Sequence, residues 1–161
     1  MVRSGLFSLD NYLERLNIMF LGEYQHSLDS KGRLTVPSRM REELGDCFVA
    51  TKGLDNCLFL YPPNVFKQLE EKLQHLPFTR PEVRGFARLF FAGASECEPD
   101  RQGRVVLPVN LREYAHIDRE LVIIGVGNRV EVWAADAWAT YSVNSSTAYE
   151  ELAEKLVDLG F

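Results

Sequence analysis

The chain has 161 residues, 46% of them hydrophobic, and a formal net charge of −5. That is a globular composition with room for one good core or two small ones, and no apolar run approaches the ~20 residues that cross a bilayer. The negative balance argues mildly against nucleic acid, because phosphate binding rests on Lys and Arg, but clustering of those residues on one face decides the matter. The N-terminus lacks the basic region, apolar run and small-residue cleavage site of a secretory signal. Cys47, Cys57 and Cys97 are odd in number and show no CxxC spacing, so three unpaired thiols in a reducing compartment are expected rather than a disulfide framework.

Residues 1–18 carry Leu6, Leu9, Leu13 and Leu16 at helical spacing and read as an appended helix or a disordered arm. Phe20 to Gln25 and Arg33 to Val36 read as short strands flanking a turn at Ser30-Lys31-Gly32. Pro37 ends the second strand and suits the first turn of a helix, Ser38 to Leu44, that stops at Gly45. Phe48 to Thr51 and Leu58 to Tyr61 are β-rich runs around Gly53, Asp55 and Asn56, a hairpin pattern. Asn64, after Pro62-Pro63, is a good N-cap type for a helix to Leu76 that presents Phe66, Leu69, Leu73 and Leu76 on one face.

Thr79-Arg80-Pro81-Glu82 predicts a capping box opening a helix from Val83 to Phe91. That helix puts Val83, Phe86, Leu89 and Phe90 on one side. Arg80, Arg84 and Arg88 form a stripe on another, either a solvated face or a basic surface or subunit contact. A second short helix, Asn110 to Ala115, follows Pro108. Leu121 to Val126 and Arg129 to Trp133 are joined by Gly127-Asn128, suited to a two-residue primed turn. Asp136 is a helix-start type, and Thr147 with Glu150 predicts a last helix closing at Gly160.

Two stretches in this series are copies. Asp29-Ser30-Lys31-Gly32-Arg33, then Leu34-Thr35-Val36-Pro37, returns as Asp100-Arg101-Gln102-Gly103-Arg104, then Val105-Val106-Leu107-Pro108. The register extends outward: Phe20 falls opposite Phe91 and Arg41 opposite Arg112. After a one-residue insertion, Leu58 falls opposite Val130, Leu60 opposite Val132, Tyr61 opposite Trp133 and Phe66 opposite Trp138. A period of about 70 residues is too long for a solenoid unit and reads as a duplicated small domain. At about 45 residues each, the copies sit at the lower limit of independent stability, so a shared core is the economical arrangement.

Catalysis has no candidate. Paired aspartates recur in proton-sharing dyads, but an arginine four residues on across a tight turn favours the ionised carboxylate. No GxSxG, GxxxxGK[ST], HExxH or GxGxxG is present. His26, His75 and His116 have no Cys or His at ligand spacing, so neither metal nor cofactor is expected. A binding role uses the same residues with less strain. Asp29 and Asp100 would anchor their turns, and Gly32 and Gly103 would let them bend. Lys31, Arg33, Arg101 and Arg104 would be offered to phosphates or guanine edges. The other reading is that both acid–arginine pairs are internal staples without a ligand, as in an antitoxin-like or scaffold protein-interaction module.

The run Met19-Phe20-Leu21-Gly22-Glu23-Tyr24, the segment Leu28 to Arg33, the Val36-Pro37 step and Leu58-Phe59-Leu60-Tyr61-Pro62 resemble the MraZ family. So do Ala94-Ser95-Glu96-Cys97, Asp100 to Arg104 and Glu131-Val132-Trp133. The resemblance covers Met19 to about Trp138, so residues 1–18 stand outside the family pattern. It implies an α+β fold in which two tandem AbrB-type (SpoVT-AbrB) swapped-hairpin repeats share one pseudo-two-fold β-barrel core with flanking helices. The expected units are residues 23–65 and 94–137 for the repeats, 66–93 for a helical connector and 138–161 for a C-terminal helical segment. The function implied is a non-enzymatic bacterial transcription regulator. It would bind double-stranded DNA at repeated short promoter sites upstream of a cell-division and cell-wall gene cluster. The same resemblance implies DxxxR loops carried by a homo-oligomer closed into a ring, with no small-molecule substrate, in the cytoplasm at the nucleoid.

Overall fold

The computed structural model describes residues 18–161, so the helix-or-arm reading of the N-terminal segment lies, but for Ile18, outside the described residues. The first repeat comprises β1 (Glu23–Ser27), β2 (Arg33–Thr35), α1 (Ser38–Leu44), β3 (Phe48–Lys52) and β4 (Leu58–Tyr61). Two helices follow, α2 (Pro63–Gln74) and α3 (Pro81–Ala92). The second repeat comprises β5 (Ser95–Cys97), β6 (Arg104–Val106), α4 (Val109–Tyr114), β7 (Glu120–Gly125) and β8 (Val130–Ala134). The chain then runs through α5 (Ala135–Thr147) and α6 (Tyr149–Val157).

The repeats are interlocked by strand pairing. Six antiparallel strands form one sheet in the order β1-β7-β8-β4-β3-β5, so the first strand of each repeat pairs with the other repeat's hairpin. The remaining strands, β2 and β6, pair only with each other. Leu34 lies opposite Val105, and Phe59 opposite Glu131. Each of these is a residue facing its own equivalent, so a pseudo-two-fold axis passes through both pairs. Among the described residues the six-stranded sheet is open, with β1 and β5 as its edges, and the short β2 and β6 form a separate ribbon, so no closed barrel is seen.

One core lies between the sheet and the β2–β6 ribbon. Leu34, Val36, Met40 and Leu44 from the first repeat meet Val105, Leu107, Leu111 and Leu121 from the second. A second cluster on the other side of the sheet joins Phe59, Tyr61, Val122 and Trp133 to Val65 and Phe90 of the long helices. Strands β4 and β8, covered on both sides, are buried at every position. This also explains why neither strand shows a polar alternation: β4 is apolar throughout, and Glu131, the one charged residue of β8, is itself buried.

Local chemistry places the turns and helices. Gly45 ends α1 at φ +87° and Gly127 turns the β7–β8 hairpin at φ +71°, conformations that side chains with a Cβ adopt at a cost. Val126 N–H donates to Arg129 O across that turn at 2.9 Å. The expected side-chain caps are absent, for identifiable reasons. The second long helix of the sequence reading has Arg80 at its N-cap, and Arg80 takes Glu82 as an ion-pair partner instead of leaving it for a capping box. Pro63 already occupies the first turn of α2, which moves the cap to Pro62 and puts Asn64 inside the helix. Asp136 lies in the first turn of α5, whose cap is Ala134. Thr147 is the last residue of α5, not the cap of α6. On α3 the apolar face is narrower than expected: Phe90 is buried but Leu89 is exposed.

Candidate nucleic-acid interface

The two DxxxR segments fold into the same loop. In the first, Asp29 Oδ1 accepts hydrogen bonds from the backbone N–H of Lys31 and of Arg33, both at 2.9 Å, and Oδ2 accepts from Arg33 Nε at 2.6 Å. In the second, Asp100 Oδ1 accepts from the N–H of Gln102 and of Arg104 at 2.9 Å, and Oδ2 from Arg104 Nε at 2.8 Å. Each aspartate thus fixes three donors of its own loop, and the backbone N–H of Arg33 and Arg104 does most to hold both carboxyls below the usual aspartate range. Gly32 and Gly103 take φ +72° and +78°, which closes each turn.

The loops are also tied to each other. Gly32 O accepts from Leu107 N–H at 3.2 Å, and Gly103 O accepts from Val36 N–H at 3.0 Å, which extends the β2–β6 ribbon at both ends. Over each glycine lies an arginine of the other repeat. The Arg112 guanidinium sits where a Cβ on Gly32 would come within 3.1 Å of its Cζ, and a Cβ on Gly103 would overlap Nη1 of Arg41. Arg112 is held there by a bond from its Nε to Leu107 O at 3.1 Å. Neither Arg41 nor Arg112 has a carboxylate partner among the described residues. The close approach of arginine is what buries both glycines.

The ribbon aims the site. Side chains alternate across a strand, and residues opposite each other in an antiparallel pair share a face. Leu34 and Val105 point into the core, so Arg33, Thr35, Arg104 and Val106 all lie on the other, outward face. Two residues of rise and one strand spacing put the Cα atoms of Arg33 and Arg104 on the order of 8 Å apart. Lys31 and Arg101 are exposed at the loop tips, whereas Arg33 and Arg104 are half-buried, with Nε committed to aspartate and no hydrogen bond from their terminal nitrogens to the described residues. The four basic residues singled out in the sequence thus fall into two kinds: Arg33 and Arg104 tethered on the shared outward face of the ribbon, and Lys31 and Arg101 exposed in the loops at its two ends.

Sequence reasoning missed four residues here. Arg41 and Arg112 were visible only as equivalent positions of the duplication, because each serves the loop of the opposite copy. Thr35 and Val106 were read as strand residues, and only the ribbon register turns them outward, Val106 at 59% exposure. Elsewhere, His26, His75 and His116 are not gathered with other ligand types, and no group of three His, Cys, Asp or Glu able to hold a metal occurs among the described residues. Cys57 and Cys97 are buried, Cys47 is half-buried, and all three are free.

Comparison with known sequences agrees with the duplication. The profile of a family described as "MraZ protein, putative antitoxin-like" matches twice, over residues 19–89 and 90–159. A protein of Syntrophomonas wolfei named Transcriptional regulator MraZ is 63% identical over 142 residues, covering 88% of this chain and 99% of the relative. Proteins of the same name from Desulforamulus reducens and Moorella thermoacetica are 57% and 59% identical, over 88% and 87% of this chain and 99% and 98% of the relatives. Residues 1–18 precede both family matches. With the family pattern spanning both repeats and the relatives aligned nearly end to end, the chain belongs to the MraZ family.

Proposed function

We propose that the chain is a transcription regulator that binds double-stranded DNA sequence-specifically through the outward face of the β2–β6 ribbon and its two DxxxR loops. The observation that carries this reading is the shared outward face of Arg33 and Arg104, flanked by the exposed Lys31 and Arg101. A two-stranded ribbon fits the major groove of B-DNA, about 12 Å wide. The aspartates hold each arginine by Nε, which leaves the outer edge of the guanidinium fork for phosphate or a guanine edge. Thr35 and Val106 offer methyl groups of the kind that contact thymine. Arg41 and Arg112 stiffen the opposite loop and add positive charge behind it.

The names of the relatives support a regulator of transcription. As the resemblance implies, its targets are repeated short sites upstream of a cell-division and cell-wall gene cluster, engaged by several subunits closed into a ring. After the first loop pair binds, each further contact is effectively intramolecular. A chain of net charge −5 can then hold DNA through a small basic face while its acids point elsewhere. The regulator works in the cytoplasm at the nucleoid, and no catalytic step is assigned to any residue.

The alternative, an antitoxin-like or scaffold module, draws on the same Nε–carboxylate ties, which suffice for purely structural loops. The tip cations separate the two. Lys31→Ala with Arg101→Ala leaves every loop hydrogen bond intact, because the contribution of Lys31 is its backbone N–H. On the DNA reading the double variant keeps wild-type thermal stability, weakens binding to DNA from upstream of the protein's own gene, and lowers the slope of log K against log salt by about 1 per lost phosphate contact. An unchanged isotherm at two salt concentrations, or equal wild-type affinity for native and scrambled DNA, refutes sequence-specific binding through these loops.

A further inference from the structure

The last helix and the α2–α3 surface are each incomplete alone and complementary together. Every residue from Tyr149 to Phe161 is exposed, and the main packing partner of α6 is α5. Isolated helices shorter than ~12–15 residues are marginal in water, so a nine-residue helix with an open apolar face calls for a partner. Tyr149, Leu152, Ala153 and Leu156 share one side of α6 at i, i+3, i+4, i+7 spacing. Its other side is acidic, with Glu150, Glu151, Glu154 and, just beyond it, Asp158 against the single base Lys155.

The α2–α3 hairpin offers the converse. A groove of about 380 Å³ has Leu73, Leu76, Phe78, Val83 and Phe91 in its wall, and among the described residues its charges are Arg84 and Arg88. A second groove of about 320 Å³, across Leu73 and Leu76, is lined by Leu69, Phe86 and Phe90, and among the described residues its charges are Lys52 and Lys72. Phe78 is 76% exposed, and Arg88 has no carboxylate partner among the described residues. Among the described residues, neither groove is lined by an acid.

We propose that α6 of one copy seats in the α2–α3 groove of a second copy, its leucines against Leu73, Leu76 and Phe78 and its glutamates against Arg84 and Arg88. Donor and acceptor are different surfaces of one chain, so the contact is head-to-tail and propagates until a rotation closes it. It is the kind of groove-bound amphipathic helix that recognition commonly uses. The contact supplies a surface for the assembly proposed above and rests on that reading only for its purpose; its chemistry is independent of DNA.

Two full-length variants at exposed positions test it. Leu152→Glu with Leu156→Glu spoils the donor, and Phe78→Asp with Arg88→Glu spoils the acceptor, with far-UV circular dichroism checking that each remains folded. By sedimentation velocity at tens of micromolar, the wild-type chain is expected above monomer mass and each variant at monomer mass. An equimolar mixture of the two variants is expected to recover a dimer, because each retains the half that the other lacks. A monomeric wild-type chain, a variant that keeps wild-type mass, or a silent mixture overturns the contact. Loss of mass in the acceptor variant alone overturns it too, because the groove then takes a segment other than α6. Anisotropy of each variant with a single-site duplex separates this contact from the DNA reading: interface failure leaves single-site binding unchanged, and failure of the loops abolishes it in the wild-type chain as well.

Discussion

Gly103→Ala tests how far the loops depend on an arginine from the opposite repeat. Two effects oppose the substitution. The residue sits at φ +78°, where a Cβ costs roughly 1–2 kcal/mol. The new methyl would also occupy the position of the Arg41 Nη1 group, and moving a flexible side chain off the loop belongs at the low end of overpacking, about 1 kcal/mol. Lower entropy of the unfolded chain returns about 0.4–1 kcal/mol, for a net loss of about 2 kcal/mol. Gly127→Ala is the internal control, because its φ is +71° but no described residue lies within 4 Å of its would-be Cβ. Urea denaturation of the two variants isolates the arginine contribution, since backbone and unfolded-state effects are common to both. Gly103→Ala should be the less stable by about 1 kcal/mol, and adding Arg41→Ala should remove that difference. In DNA titrations Gly103→Ala should weaken binding and Gly127→Ala should not. Equal stability losses in the two glycine variants would refute the cross-repeat packing.

Three further outcomes follow from the same geometry. Asp29 and Asp100 have folded-state pKa values below their unfolded ones, so their contribution to stability is fully present above the ordinary aspartate range and is lost as pH falls through the lowered values. A carbon-detected NMR titration giving either carboxyl an ordinary midpoint contradicts the loop bonding. Glu131 is buried, accepting from Arg129 Nε at 2.9 Å and Trp133 Nε1 at 3.0 Å, so Arg129→Ala strands a carboxylate. The loss should be about 3 kcal/mol, the low end for a broken buried pair because Arg129 is partly exposed and Trp133 still donates; a loss under about 1 kcal/mol counts against it. Burial raises the Cys57 thiol strongly and the Cys97 thiol to about 11, so an aromatic disulfide reagent at neutral pH should leave both unmodified in the folded protein while half-buried Cys47 reacts first. Prompt labelling of Cys97 contradicts the packing of β5.

What could be read from the residues was what local chemistry encodes. The recurrence of Asp, Gly, Arg and Pro marked both loops, and Gly45 and Gly127 lie where their backbone angles require them. Helix starts were less legible, because each is decided by competition between neighbours: Pro63 pre-empts Asn64, and Arg80 draws Glu82 away from the backbone. The pairing of β2 with β6 was out of reach, since two three-residue strands far apart in sequence carry no local signal of register. Without that register nothing could show that Thr35 and Val106 face outward, or that Arg41 and Arg112 serve each other's loop. The way the expected shared core is built was out of reach for the same reason: the short strands pair with each other, and the six-stranded sheet stays open among the described residues.

The pair Phe59 and Glu131 has a consequence for the history of the chain. On a two-fold axis a residue meets its own counterpart. If this architecture were assembled from two identical chains, a glutamate there would face a second buried glutamate, and like charges at that spacing repel. A phenylalanine there would face phenylalanine and leave the neighbouring arginine without an anion. Joining the halves in one polypeptide lifts that restriction: one half keeps the ring, the other keeps the carboxylate, and Arg129 both pairs with the acid and lies 4.6 Å from the ring centroid. Fusion thus permits a complementary contact that gene-identical subunits are forbidden to make, and once it is made the halves can no longer be exchanged for one another.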